Sequence, residues 1–301
     1  MQIGFGLPVS GAWATPQSIT RFATLAEANG YHSLWAFQRL LVGADQQLDP
    51  VYRSVMDPLV ALGFAAAITN RVRLGVAIVN VPFVEPAYLA KQAATLDVLC
   101  AGRLDLGLGA GWSEPEFAAT GASPERRGAR VTEYVAALRA LFADGVSEHR
   151  GEFYAIPPSR VEPKPVQRPA PPILLGGAAP AALKRAGRIA DGWISRSATD
   201  LSTIGVDISR VRAAAGEAGR DPDELRFISR GVVRIGEPIT GERRPLSGSP
   251  DQVRSDLQGL AEQGVTEVFY DLNWDPQIGS PDVEPERAMA RAEEILLALK
   301  P

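Results

Sequence analysis

VRLGVAIVNVPFVEPAYLAKQAATLDVLCAGRLDLGLGAGW, residues 72–112, reads as strand, helix, strand. Val72–Val79 and Arg103–Leu108 are short runs of small and branched apolar residues, and Pro86–Leu99 between them has helical length. Two strands joined through a helix lie parallel in one sheet, with a right-handed crossover. If the unit repeats, the sheet is parallel throughout.

The unit does repeat in both directions. Towards the N-terminus, Ile3–Leu7 is a strand ending at Pro8. Pro16–Asn29 carries Ile19, Phe22, Ala23, Leu25 and Ala26 at helical spacing, with Gly30 as the stop. Ser33–Phe37 is the second strand, and Pro58–Thr69 an alanine-rich helix with Asp57 placed to cap it. Towards the C-terminus, Ala129–Phe142 is a helix, followed by strands at Pro172–Leu175, Asp191–Ser195, Leu225–Ile235 and Glu267–Leu272. Helices are predicted at Pro180–Ile189, Leu201–Ala218, Pro250–Gln263 and Glu284–Leu299. Only residues 145–170 break the rhythm. HRGEFYAIPP reads as a hairpin and VEPKPVQRPAPP as a proline-rich extended excursion.

Eight strands alternating with helices predict an α/β chain, a (β/α)8 TIM barrel forming one domain over residues 1–301, with the hairpin and proline-rich stretch as an insertion. Active sites of such barrels lie at the carboxyl ends of the strands. The longest predicted loops fall there, at Gln38–Met56, Ala110–Arg127 and Gly236–Ser249.

Composition narrows the partners. A formal net charge of −4 gives nothing to attract nucleic acid or anionic lipid. No window approaches the roughly 18 apolar residues of a membrane span. The N-terminal MQIGFGLPVSGAW reads as a strand and loop rather than a secretory leader. The single cysteine, Cys100, cannot pair within the chain, so a reducing cytoplasm is the expected compartment. Two distant histidines and one cysteine make no metal site, and no Gly-x-Ser-x-Gly supports hydrolase chemistry.

Two glycine turns carry the chemistry. LGLGAGW, Leu106–Trp112, holds Gly109 and Gly111 in a pattern that invites a dinucleotide reading. However, it follows the fourth strand, enters Ser-Glu-Pro-Glu rather than a clean helix, and lacks the strand-ending acid. A tight turn beneath a flat ring fits it better. In PILLGGAAPAALKRAGRIADGW, Gly176, Gly177, Ala178 and Ala179 separate a strand from a helix starting near Pro180. Exposed amides and a helix dipole would make this a phosphate site, with Lys184, Arg185 and Arg188 nearby. An ordinary strand-to-helix turn has the same sequence.

The order of residues in SLWAFQRLL (33–41), DPLVALGFAAAITNRVRLG (57–75), LAKQAATLDVLCAGRLDLGLGAGW (89–112) and PILLGGAAPAALKRAGRIADGWI (172–194) resembles the luciferase-like monooxygenase superfamily, most closely its actinobacterial F420-dependent oxidoreductase branch. FMN-dependent members share these motifs. The resemblance implies a cofactor ring over the barrel mouth, coenzyme F420 or alternatively FMN, acting on a small-molecule substrate. It further implies a cis peptide at Ala77–Ile78 behind the ring, Ile194 beside it, and the cofactor phosphate against Gly176, Gly177, Ala178 and Ala179. Relatives are often homodimers, so a homodimer is expected.

Departures from the pattern leave the proton transfer open. Several F420-dependent relatives have Asp-His at the end of strand two, where this chain has Gln38-Arg39. Trp112 stands where some place a catalytic glutamate, and His32 and His149 are poor substitutes for the missing histidine. Arg39 is a candidate to bind an anionic group or polarise a carbonyl, against a reading as a surface arginine. Trp112 is a candidate to stack on ring or substrate, whereas Trp35 reads as core. Glu114 and Glu116 are candidate proton donors but are expected to face water, and Arg126, Arg127 and Arg130 either meet an anionic tail or form a solvated face. The expected activity is an F420-dependent oxidoreductase transferring a hydride; the alternatives are an FMN-dependent monooxygenase and a non-catalytic ligand-binding barrel.

Overall fold

The computed structural model describes residues 1–301. The strands are β1 (Gln2–Gly6), β2 (Ser33–Ala36), β3 (Arg73–Asn80), β4 (Leu104–Gly109), β5 (Ser147–Arg150), β6 (Ala155–Ser159), β7 (Ile173–Gly176), β8 (Gly192–Ile194), β9 (Arg226–Gly231), β10 (Arg234–Ile235), β11 (Ser247–Gly248) and β12 (Glu267–Tyr270). The helices are α1 (Pro16–Ala28), α2 (Pro58–Ile68), α3 (Pro86–Leu99), α4 (Glu114–Thr120), α5 (Arg127–Phe142), α6 (Pro180–Ile189), α7 (Ile204–Glu217), α8 (Pro250–Glu262) and α9 (Pro285–Ala298). Strands β1, β2, β3, β4, β7, β8, β9 and β12 close into a parallel barrel in that order, β12 returning to β1. The predicted architecture is the observed one.

Proline explains much of the punctuation. Helices α1, α2, α3, α6, α8 and α9 all begin on proline. Its fixed φ suits the first helical residue, and its missing N–H would be unpaired there anyway. Side-chain caps at Thr15, Asp57, Ser249 and Glu284 satisfy other free amides. No helix is long and apolar enough to cross a membrane.

Three predicted elements are corrected. The segment after Gly111 does enter a helix, the short α4, with Pro115 in its first turn and Gly121 ending it in the left-handed region at φ 67°. The strand predicted over Leu225–Ile235 stops at Gly231; Arg234 and Ile235 leave the barrel and pair with Ser247 and Gly248 instead. An apolar run cannot by itself distinguish a continuous strand from one that turns outward. The helix predicted from Leu201 begins at Ile204. The insertion is as read: β5 and β6 form an antiparallel hairpin, and Gln167 in the proline-rich stretch bonds Asp97 and the Leu104 carbonyl.

The barrel interior is layered, because alternate residues of every strand point inward. At the amino-terminal floor, Asp105 takes hydrogen bonds from Arg73 (2.7 and 2.8 Å) and Arg226 (2.6 and 3.1 Å), and Arg226 also reaches Glu267 at 2.9 Å. Above lies an apolar plug of Trp35, Ala77, Leu174, Ile194, Ile228 and Phe269. Trp35 is core, as predicted: it stacks on Phe269 at 5.2 Å, and its indole N–H donates to Glu267 and Ser33. Gly75 is glycine because a Cβ there would overlap the Trp35 ring. The plug ends at the carboxyl ends of the strands, and the mouth above it is the site.

Candidate active site

The floor of the mouth is built on β3. Its pairing with β4 shifts between Val76 and Val79, a bulge that frees Ala77 and Ile78 from the ladder. The Ala77–Ile78 peptide is cis, at the bond the resemblance singled out. Ile78 is half-buried and lies across the ends of β4 and β7. A Cβ on Gly109 would strike Ile78 Cδ1, and one on Gly176 would press its Cγ2 at 3.3 Å. Gly107 makes similar room for Ile78 and Ile194. The structure thus brings together five of the predicted cofactor residues: Ala77, Ile78, Gly109, Gly176 and Ile194.

Beside this ledge, the chain leaves β7 through Gly177, Ala178 and Ala179 into α6. Gly177 has φ 130°, a conformation that side chains resist, and its carbonyl accepts the Trp193 indole N–H at 2.8 Å. The amides of Gly177, Ala178 and Ala179 donate to no protein acceptor, and α6 has no side-chain cap. Free amides at a helix start are suited to receive an anion. Arg185, one turn further on, is half-buried, makes no hydrogen bond or ion pair, and packs against Gly128 at the start of α5. Burial without a partner pushes its guanidinium pKa down.

Gly111 does not join this group. Its φ of 70° turns the chain into the loop before α4, its Cα faces Phe83 and Phe117, and its carbonyl accepts from Arg127 at 2.8 Å. Gln38 acts as a tie between strand ends, its Oε1 accepting the Asn80 amide at 2.8 Å.

Arg39 is not a surface arginine. It is buried, it donates to Glu116 at 2.8 Å, and its guanidinium packs against the rings of Tyr52 and Trp112, 4.5 Å from each centroid. Glu116, expected to face water, is also buried and accepts the Leu40 amide at 2.7 Å. The unforeseen α4 accounts for this, since it carries Glu116 inward while Glu114 stays exposed. The charge of Arg39 is therefore already met, although its Nε has no partner. Trp112 remains 52% exposed at the rim.

A second arginine, missed in the sequence, closes the opposite side. Arg230 near the end of β9 is buried and pairs with Asp271 (2.7 and 2.6 Å), and its Nη1 reaches the Ala77 carbonyl at 3.4 Å. It lies over Phe37 at 4.6 Å and Trp274 at 5.5 Å. Trp274 meets Tyr52 edge-on at 5.3 Å, so an unbroken wall runs Trp112, Arg39, Tyr52, Trp274, Arg230. The available signal was the one charge inside the run FISRGVV, residues 227–233, a residue type that enters a barrel interior only when paired. Neither histidine comes near. His32 precedes β2 at the floor, and His149 sits in the hairpin beside Glu133.

The family model for luciferase-like monooxygenases matches residues 3–241. The chain belongs to that family. An uncharacterized protein of Mycobacterium tuberculosis is 32% identical over 99% of both chains. The FMNH(2)-dependent dimethylsulfone monooxygenase of Pseudomonas putida is 30% identical, over 66% of this chain and 53% of its own length. Among solved structures of this luciferase-like fold, the monooxygenase RslO1 of Streptomyces bottropensis superposes with a TM-score of 0.81 at 26% identity, covering 100% of this chain and 98% of that one. The coenzyme F420 dependent tetrahydromethanopterin reductase of Methanopyrus kandleri does so at 0.76 and 20% identity, with the same coverage, a likeness of fold.

Proposed function

We propose that this luciferase-like chain is an F420-dependent oxidoreductase acting on a small organic substrate. The observation that carries the choice of cofactor is a set of arginines on α5 and α6. Arg127 donates to the Gly111 carbonyl, Arg130 to the Glu125 carbonyl while lying over Phe153, and Arg185 to nothing; none has a carboxylate within 4.0 Å. The unpaired amides of residues 177–179 open the helix that carries Arg185 and suit one phosphate group. Three further uncompensated cations suit a tail with carboxylates beyond that phosphate, which F420 has and FMN lacks.

When bound, reduced F420 supplies a hydride to an acceptor carbon. The protein's part is to hold, orient and shield. Ile78, seated on Gly109 and Gly176, gives the ring a flat apolar ledge. Arg230 fixes that ledge from across the mouth through the Ala77 carbonyl. The wall from Trp112 to Trp274 excludes water, and holding donor and acceptor in near contact is the main source of acceleration. No side chain at the mouth is assigned as proton donor.

A second reading, an FMN-dependent monooxygenase, is favoured by the FMNH(2) dependence of the Pseudomonas putida relative. Anaerobic titration of the purified protein with each cofactor separates the two. Saturable F420 binding with FMN at least tenfold weaker is expected, and the reverse order overturns the proposal.

A further inference from the structure

On the far side of Arg230 from the mouth lies a cavity of about 520 Å³ between the loop after β8 and the segment from Val232 to Ser247. Four arginines line it (Arg230, Arg234, Arg243 and Arg244) against two carboxylates, Asp200 and Glu242. Two of the arginines are compensated from behind: Arg230 by Asp271, and Arg243 by a two-pronged pair with Asp256 at 2.7 Å. The other two form no ion pair. The Arg234 side chain donates only to the Val233 carbonyl at 3.3 Å, and the Arg244 side chain makes no hydrogen bond; neither has a carboxylate within 4.0 Å, although Asp200 lies near enough to Arg244 to feel its charge. Burial of Arg234 pushes its guanidinium pKa down in spite of Asp275 and Asp49 in its surroundings.

The wall that presents these cations is fixed. Asp256 on α8 takes both prongs of Arg243 and also the Leu246 amide at 2.7 Å. Leu246 is wholly buried with φ 62°, a left-handed conformation that a leucine keeps only where its surroundings enforce it. Its carbonyl accepts the Arg234 amide at 2.9 Å, and the β10–β11 pairing follows directly. Strain is thereby held at the turn that sets Arg234 and Arg244 against the cavity.

From these observations we infer that the cavity receives the anionic end of the substrate, a carboxylate or phosphate held between Arg234 and Arg244, while the reactive end lies over Ile78. Arg230 is common to both compartments, lining the cavity and touching the Ala77 carbonyl, so a molecule of metabolite size spans them. The volume falls within the range of small-molecule sites. The inference rests on the F420 reading for what lies over Ile78, but the anion site itself does not need the cofactor.

Calorimetric titration of the cofactor-free protein with inorganic phosphate and, separately, succinate, at constant ionic strength, tests it. Three variants accompany the wild type: Arg234→Gln/Arg244→Gln, Arg234→Lys/Arg244→Lys and Arg185→Gln. The expected result is a saturable anion site that is weakened tenfold or more in the glutamine pair, largely restored in the lysine pair, and retained in Arg185→Gln, which weakens only the separate phosphate binding at the start of α6. Whichever anion binds more tightly identifies the substrate group as phosphate or carboxylate. Unchanged binding in the glutamine pair, or loss only in Arg185→Gln, overturns the inference, because the anion then sits at the start of α6. F420 fluorescence titration of the glutamine pair should match wild type within twofold. Failure of F420 to bind the wild type would sink the cofactor reading and leave the anion result standing.

Discussion

Nη1 of Arg39 donates to Oε2 of Glu116 at 2.8 Å, and the two side chains are 4% and 1% exposed. This pair fastens the loop after β2 to α4 and holds the guanidinium against Tyr52 and Trp112, whose rings meet edge-on beside it. Removing one partner of a buried pair strands the other charge, at a cost of roughly 3 kcal/mol or more. Glu116→Gln should therefore lower the urea midpoint clearly, whereas Arg39→Met/Glu116→Leu should recover most of the loss. A Glu116→Gln variant as stable as wild type would show that the pair is solvated in solution.

Gly109→Ala tests the ledge. The new methyl would meet Ile78 Cδ1, the mobile end of a side chain, so the fold should survive with a loss of about 1–3 kcal/mol while Ile78 is displaced. F420 affinity should fall tenfold or more. Circular dichroism and fluorescence titration on the same sample separate the two effects, and unchanged affinity would remove Ile78 from the cofactor site.

The barrel was legible because its signals are local: period, proline and glycine punctuation, and a strand–helix rhythm that only a parallel sheet accommodates. The ledge and the turn at Gly177 were legible as a motif, through the order of residues around them. The pairing of Arg39 with Glu116 was not. It joins positions 77 residues apart, and depends on α4, a seven-residue helix that no periodicity announces. Arg230 was hidden for a related reason. Read within a strand running on to Ile235 it looked like one more charge, and only the exit of the chain after Gly231 places it at the rim.

Asp105 sets a pH dependence at the other end of the barrel. Its carboxyl is wholly buried, which alone would raise its pKa, but hydrogen bonds and charge from Arg73 and Arg226 outweigh this and hold it below the ordinary aspartate value. A carboxyl depressed in the folded state contributes stability above its unfolded pKa, near 4, and loses it as pH falls through the folded value. Asp105→Asn should thus be less stable than wild type at about pH 7, with the gap narrowing below about pH 4. Urea midpoints across that range check this. A constant gap would mean that the acid sensitivity arises elsewhere. Because the floor is separated from the mouth by the Trp35–Phe269 plug, F420 affinity in this variant should stay near wild type.

Arg127 and Arg185 bear on how the cofactor is chosen. If three arginines without carboxylate partners serve a polyanionic tail, their contribution is partly screened by salt, since Arg127 is exposed and Arg185 only half-buried. Raising salt from about 0.05 to 0.5 M should weaken F420 binding severalfold in the wild type. The Arg127→Gln/Arg185→Gln variant should bind F420 at least tenfold more weakly at low salt and show a shallower salt dependence. A truncated F420 carrying the phosphate but no glutamates should lose less on the double substitution than full-length F420 does. Equal losses for the two ligands would mean that these arginines see only the phosphate, and the preference for F420 over FMN would then lack its physical basis.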